Sequence, residues 1–262
     1  MVRKDSLQKT LAIGVLWTGE PQIEMLLPSI SKLKGQFHVI VKVVAFEKNY
    51  PAHMKIWKFF EEYSYADYRI KLDGDMTLTD PELFINSLDE LSDNDFFIFR
   101  VRDHITGRLL NGVNIFSKGY EIDVSNCNDL FPDKLGGEWR QKEYNGVSHC
   151  KEPSPEQVGE FVGHRLRKIF GANDWRKSRS YLRLVLFAIK NNIQSIFSWG
   201  RIAIVTWLSN NYKNSIRNYL TESVNNKKMA SPSEYEDTSL RGPVSDYHRQ
   251  LLKILKSNGF IV

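Results

Sequence analysis

Asp73-Gly74-Asp75 is the stretch of this chain best equipped for chemistry. Two carboxylates stand one residue apart, directly after Tyr68 to Leu72 (YRIKL), which reads as a strand. At the end of a buried strand, two such side chains can hold one divalent cation from the side. Their shared negative charge would otherwise be costly, so a hard cation is the natural partner. A cation there can bridge a diphosphate and stabilise the negative charge that builds on it as it leaves. The plainer alternative is a solvated acidic turn, and the elements around the pair decide between the two.

Those elements alternate. Leu11 to Trp17 (LAIGVLW) is a short apolar run ended by Thr18-Gly19-Glu20-Pro21, which predicts a buried strand feeding a turn. Ile23, Leu26, Leu27, Ile30 and Leu33 then follow at helical spacing. Phe37 to Phe46 predicts a second buried strand, and Pro51 opens a helical pattern through Met54, Trp57, Phe60 and Tyr63. After the acidic pair, Thr79-Asp80-Pro81-Glu82 carries the capping side chain, first-turn proline and acid of a helix start. Phe96 to Val101 predicts a fourth strand. This rhythm implies an α/β fold with a mostly parallel sheet flanked by helices. Ligands of such sheets sit beyond the carboxyl ends of the strands, where Thr18, Glu47 and Asp73 all fall. Residues 103–150 are less regular: Gly112 to Lys118 predicts a strand, and 126–146 is rich in loop residues. Ser154-Pro155-Glu156-Gln157 is a capping box, opening a helix expected to reach Phe170 and stop at Gly171. Further helices are expected over 180–220, a polar loop over 223–244 and a short last helix over 245–257. The expected organisation is an α/β domain over 1–172 and a C-terminal helical extension over 173–262.

In the order of these elements over about residues 10–170, and in the motif DYRIKLDGDMTL (67–78), the chain resembles the nucleotide-sugar glycosyltransferases of the GT-A fold. Their signature is an Asp-x-Asp motif. The resemblance implies a metal-dependent transfer of sugar from a nucleotide diphosphate sugar, of the UDP or GDP type, to a hydroxyl of a glycan or lipid-linked acceptor. It further implies that Asp73 faces the nucleotide ribose and the metal, and that Asp75 ligates Mn²⁺ or Mg²⁺. Thr18, Gly19 and Glu20 match the place where the family cradles the nucleotide, and Glu47 matches the acid that accepts a hydrogen bond from the base. His149 matches a histidine that completes the metal site. For the carboxylate base of inverting members, Glu138 in the loop GGEWR is the first candidate and Asp133 the second. The Glu-Asp pair usual at that place is absent here.

The same acids support other chemistry. LDGDMTLTD fits the Asp-x-Asp-x-Thr pattern of haloacid-dehalogenase-like phosphatases, with Asp73 as nucleophile and Asp75 as general acid. That motif normally follows the first strand of its fold, whereas two strand-helix units precede it here, and no Gly-Asp-x-x-x-Asp stretch or paired Asp for Mg²⁺ follows Asp103. A non-catalytic scaffold that binds a partner through basic helices is the third reading.

Those helices stand out in the charge distribution. The chain carries +5 overall, yet Trp175 to Thr221 contains no Asp or Glu and eight Lys and Arg. The segment alone is therefore +8, leaving −3 (5 − 8) for the rest. Its cations are interleaved with Leu, Ile, Phe and Trp, a composition that suits either packing on the catalytic domain or peripheral contact with an anionic bilayer. No nucleic-acid-binding motif accompanies the charge, so nucleic acid is not an expected partner. No apolar run approaches the ~20 residues of a membrane span. The two cysteines, Cys127 and Cys150, lack metal-type spacing. A cytoplasmic setting, at most at the inner face of the membrane, is the corresponding expectation.

Overall fold

Apolar β-branched runs form the centre of an eight-stranded sheet in the computed structural model, which describes residues 8–45, 49–128, 131–143, 146–171 and 175–208. Strand β1 (Thr10–Trp17) lies parallel to β2 (His38–Ala45) on one side and to β3 (Tyr68–Asp73) on the other. Helix α1 (Ile23–Leu33) connects β1 to β2, and α2 (Asn49–Glu62) connects β2 to β3. The remaining strands are β4 (Met76–Leu78), β5 (Phe96–Asp103), β6 (Arg108–Ser117), β7 (Arg140–Lys142) and β8 (Val147–His149). Helix α3 (Pro81–Asp89) starts as its sequence predicts, with Asp80 accepting from the Leu83 N–H at 2.9 Å and Pro81 in the first turn.

The sheet is mixed, not mostly parallel as the strand-helix rhythm suggests. Its order is β2-β1-β3-β6-β5-β8-β4, with β7 beside β5. The reason lies in the connection between β5 and β6. It is too short to hold a crossover helix, so the place next to β3 goes to β6, running antiparallel to it with Tyr68 opposite Ser117. Of the three short strands, β7 falls in the loop-rich stretch 126–146, and β4 and β8 are too short to show a periodicity.

Two compact units are formed. The first contains residues 8–102 and 109–149 of the described chain. One face of its sheet packs on α1 and α3 through Ile13, Val15, Leu26, Ile30, Phe84 and Phe99. The other face packs on α2 through an aromatic cluster, in which Phe116 meets Trp57 and Phe60 at 5.9 Å and stacks on Phe96 at 4.7 Å. Arg69 lies buried on that face, donating to the carbonyls of Ser117 at 3.0 Å and Tyr120 at 2.6 Å.

The second unit contains 103–108 and 150–208 of the described residues. Helix α4 (Pro155–Gly171) opens on the expected capping box, with Ser154 and Gln157 each accepting from the other's backbone N–H. It is followed by α5 (Trp175–Asn191), a single 3₁₀ turn at Ile193–Ser195 and α6 (Ile196–Leu208). Gly159 and Gly163 bring α6 close to α4, since a Cβ at either position would come within 2.7 Å of α6 backbone oxygens. Asn191 and Asn192 donate to the carbonyls of His104 and Ile105. The expected loop at 223–244 and helix at 245–257 lie outside the described residues.

Phe116 touches α2, β5 and the segment after β6 at once. Truncation in Phe116→Ala is expected to cost about 3 kcal/mol of unfolding free energy, measured by urea denaturation, because the surrounding rings cannot collapse onto the space left.

Candidate functional site

Acidic side chains gather where β1 and β3 end. The register sets Leu16 opposite Asp73, and the Gly74 N–H donates to the Leu16 carbonyl at 2.6 Å, tying the Asp73-Gly74-Asp75 turn to the end of β1. Glycine is required at the centre of this turn. A Cβ there would stand 2.6 Å from the Trp17 ring and 3.1 Å from a Glu20 carboxylate oxygen. Glu20 is fixed from its own loop: Thr18 donates to it through its N–H at 2.7 Å and through its hydroxyl, and the Trp17 indole N–H donates to the Glu20 carbonyl at 2.9 Å. Removal from water and the nearby Asp75 charge push the Glu20 carboxyl up to about 7, against the pull of the Thr18 hydrogen bonds. Gly19 spans the loop with φ of 116°.

Asp75 points away from β1 toward β8. Pairing of β4 with β8 sets Met76 opposite His149, so the residue before Met76 meets that imidazole. The Asp75 Oδ2 and His149 Nε2 atoms are 2.9 Å apart, both side chains being mostly buried. Cys150 follows His149 in the chain. Asp75, His149 and Cys150 each offer one ligand atom, and these atoms all lie within 4.8 Å of one another. A carboxylate, an imidazole and a thiol form a donor set able to bind a metal ion.

Asp73 has different company. Its Oδ1 lies 2.7 Å from the ammonium of Lys71, which is 5% exposed, while Asp73 itself is 35% exposed. Lys71 and Asp73 stand two residues apart on β3 and therefore share a face. Burial works against the charged ammonium, and the carboxylates of Asp73, Asp133 and Asp75 outweigh it, holding Lys71 above its ordinary range. Asp133 reaches this face because its loop is anchored: the buried Trp57 indole N–H donates to the Pro132 carbonyl at 3.4 Å. His53, on α2, is buried nearby, its Nδ1 donating to the Asn49 carbonyl at 2.7 Å. Burial and then the Lys71 charge lower its pKa to about 4.

The structure thus brings Glu20, Asp73, Asp75 and His149 to one end of the sheet, with Asp133 within electrostatic reach of Lys71. Glu138 is exposed shortly before β7, and among the described residues it makes no ion pair with this cluster. Glu47 lies outside the described residues. Sequence reasoning passed over Lys71, His53 and Cys150. For Lys71 a signal existed: a charge inside the buried run YRIKL, in phase with Asp73. For Cys150 and His53 the chain order carries none.

No family model matches the chain, and no curated protein matches it. Among solved structures, it is similar to a glycosyltransferase involved in the glycosylation of the major capsid of PBCV-1. The TM-score is 0.28 and the identity 16%, over 41% of this chain and 60% of that one. The match therefore spans under two thirds of that protein.

His53 gives the site a pH signature. Because its folded pKa lies below the ordinary value near 6.5, the neutral ring stabilises the fold fully above that pH. The contribution is lost as pH falls from about 6.5 toward about 4. Urea denaturation at pH 7.5 and at pH 5 is expected to show wild type losing about 2 kcal/mol more than His53→Gln between the two.

Proposed function

We propose that the chain is a glycosyltransferase that moves a sugar from a nucleotide diphosphate sugar, of the UDP or GDP type, to a hydroxyl of a glycan or lipid-linked acceptor. One observation supports this most: Asp75 and His149 meet at 2.9 Å at the carboxyl end of β3, beside Asp73 and Glu20. On this reading Asp75 and His149, with Asp73 beside them, are the residues that would hold a divalent cation, Mn²⁺ or Mg²⁺. When bound, it would supply positive charge against the departing diphosphate. Asp73 keeps one oxygen on Lys71 and offers the other to a ribose hydroxyl, its charge steadied by the buried ammonium. Thr18, Gly19 and Glu20 form the wall against the nucleotide, and Glu47 is assigned to the base. Asp133 takes the acceptor proton, because its loop is anchored on α2 and its charge reaches Lys71. Glu138 is the second choice. The catalytic part is assigned to 1–172 and the helical extension to 173–262.

A phosphatase would attack through Asp73 and need further acids to hold Mg²⁺. Among the described residues, the one group of potential metal ligands is Asp75, His149 and Cys150, which contains no second carboxylate. This favours the transferase.

Calorimetry with UDP, GDP and their sugars, with and without Mn²⁺, tests the assignment. One nucleotide is expected to bind in a metal-dependent manner, and chelation with EDTA to abolish the heat. Asp75→Asn and His149→Ala are each expected to weaken that binding at least about tenfold, with the circular dichroism spectrum unchanged. Asp133→Asn should lower turnover about 10²-fold or more while leaving donor affinity in place. Undiminished metal-dependent binding in Asp75→Asn would overturn the site. Hydrolysis of a simple phosphate ester with Mg²⁺, lost in Asp73→Asn, would assign a phosphatase instead.

A further inference from the structure

Helices α5 and α6 each carry large apolar side chains on their outward faces. On α5, Trp175, Leu182 and Leu186 are exposed, Trp175 at 69%. Their spacing of seven and then four residues aligns them in one narrow stripe along the helix. Val185 and Ala188, on the other side of α5, are the residues that pack inward. On α6 the pattern repeats: Phe197, at 91%, and Ile204, at 50%, share a face, while Trp199, Ile202 and Ala203 are buried. A phenylalanine exposed to that degree carries a hydration cost, and one stripe on each of two successive helices is more than the scattered apolar exposure of an ordinary surface.

The charge beside these stripes has one sign. Arg179, Arg183 and Lys190 are exposed at positions flanking the α5 stripe, and Arg201 lies between Phe197 and Ile204 on α6. The Arg179 guanidinium lies over the Trp175 ring at 5.5 Å, keeping cation and indole together. No Asp or Glu occurs anywhere from Trp175 to Thr221, so neither helix offsets this charge with its own carboxylates. Among the described residues no helix is long and apolar enough to cross a membrane.

We infer that these two faces dock on the surface of an anionic lipid bilayer, their apolar side chains entering the headgroup boundary while the arginines and lysines meet lipid phosphates. An interfacial helix needs an apolar stripe and a cationic flank in register, and both helices have them. A nucleic-acid backbone would satisfy the cations and leave Leu182, Leu186, Phe197 and Ile204 in water. The inference does not rest on the proposed transfer reaction.

The full chain, sedimented with vesicles of phosphatidylcholine alone or mixed with an equal part of phosphatidylglycerol, tests it. Partition onto the anionic vesicles is expected, with little onto phosphatidylcholine. Leu182→Glu with Leu186→Glu, and separately Phe197→Glu, should each reduce partition at least about tenfold. Brominated lipid should quench tryptophan fluorescence, and less so in Trp175→Phe. All the substituted positions are exposed, and unchanged thermal unfolding would confirm that the variants fold. No partition onto anionic vesicles would overturn the inference, and so would undiminished partition of both glutamate variants. Lipid-free self-association that the same substitutions abolish would assign the faces to a second copy of the chain instead.

Discussion

Negative charge concentrated at one end of a sheet is the constraint on which the rest of this structure depends. Glu20, Asp73 and Asp75 come from two neighbouring strand ends, drawn together because Gly74 lets the turn after β3 close onto Leu16 and the Glu20 loop. Bare carboxylates so close would repel by several kcal/mol at low effective dielectric. Three features relieve this. A buried Lys71 pairs with Asp73, Thr18 donates twice to Glu20, and the His149 imidazole sits against Asp75. Glu20 carries a pKa raised to about 7, first by its burial and then by the Asp75 charge. The two acids of the motif are consequently unlike each other. Asp73 is balanced by an internal cation and part-exposed, whereas Asp75 faces the His149 imidazole and is nearer to burial.

The mixed sheet is what assembles this arrangement. An all-parallel continuation would have sent the chain after β5 into another crossover helix and left β3 with a parallel neighbour. The tight connection to β6 instead leaves the far edge to β5, β8 and β4. The three-residue pairing of β4 with β8 then carries His149 to Asp75. A one-residue slip in that register would turn the imidazole to the other face of the sheet and dissolve the ligand pair. The hydrogen bonds from Thr79 to the Gly146 carbonyl pin the far end of the same pairing.

Much of the first unit was legible before any coordinates. Strands β1, β2, β3 and β5 and helices α1, α2 and α3, together with α4 of the second unit, follow from apolar runs, helical spacing and capping residues, each a local signal. The acidic motif was legible for the same reason, since Asp73 and Asp75 are defined by the strand that precedes them. The strand order was not, because a preference for β6 over β5 beside β3 is a property of loop length and tertiary packing. Three-residue strands such as β4 and β8 have no periodicity to read, and their meeting is decided by partners about seventy residues apart. Lys71 was readable in principle from its phase with Asp73. His53 was not, since only the fold reveals that α2 covers that face.

The antiparallel neighbour also bears on which chemistry the acids can support. At the level of Asp73, β1 contributes its carboxyl end and the loop that holds Glu20. On the other side, β6 runs the opposite way and passes Lys71 at Asn114. The β6 residues beyond that point toward the Asp73 level, from 113 back to 108, are Val, Gly, Asn, Leu, Leu and Arg, with no carboxylate among them. A phosphoryl-transfer site built on Asp73 would need acids from the flanking strand ends to share its Mg²⁺, and the strand on this side cannot provide one. Among the described residues, the group that could hold a metal ion lies instead on the Asp75 side, with His149 in β8 and Cys150 after it. On the proposed reading, Asp73, tied to a buried ammonium at 2.7 Å, is a positioning group and not the nucleophile.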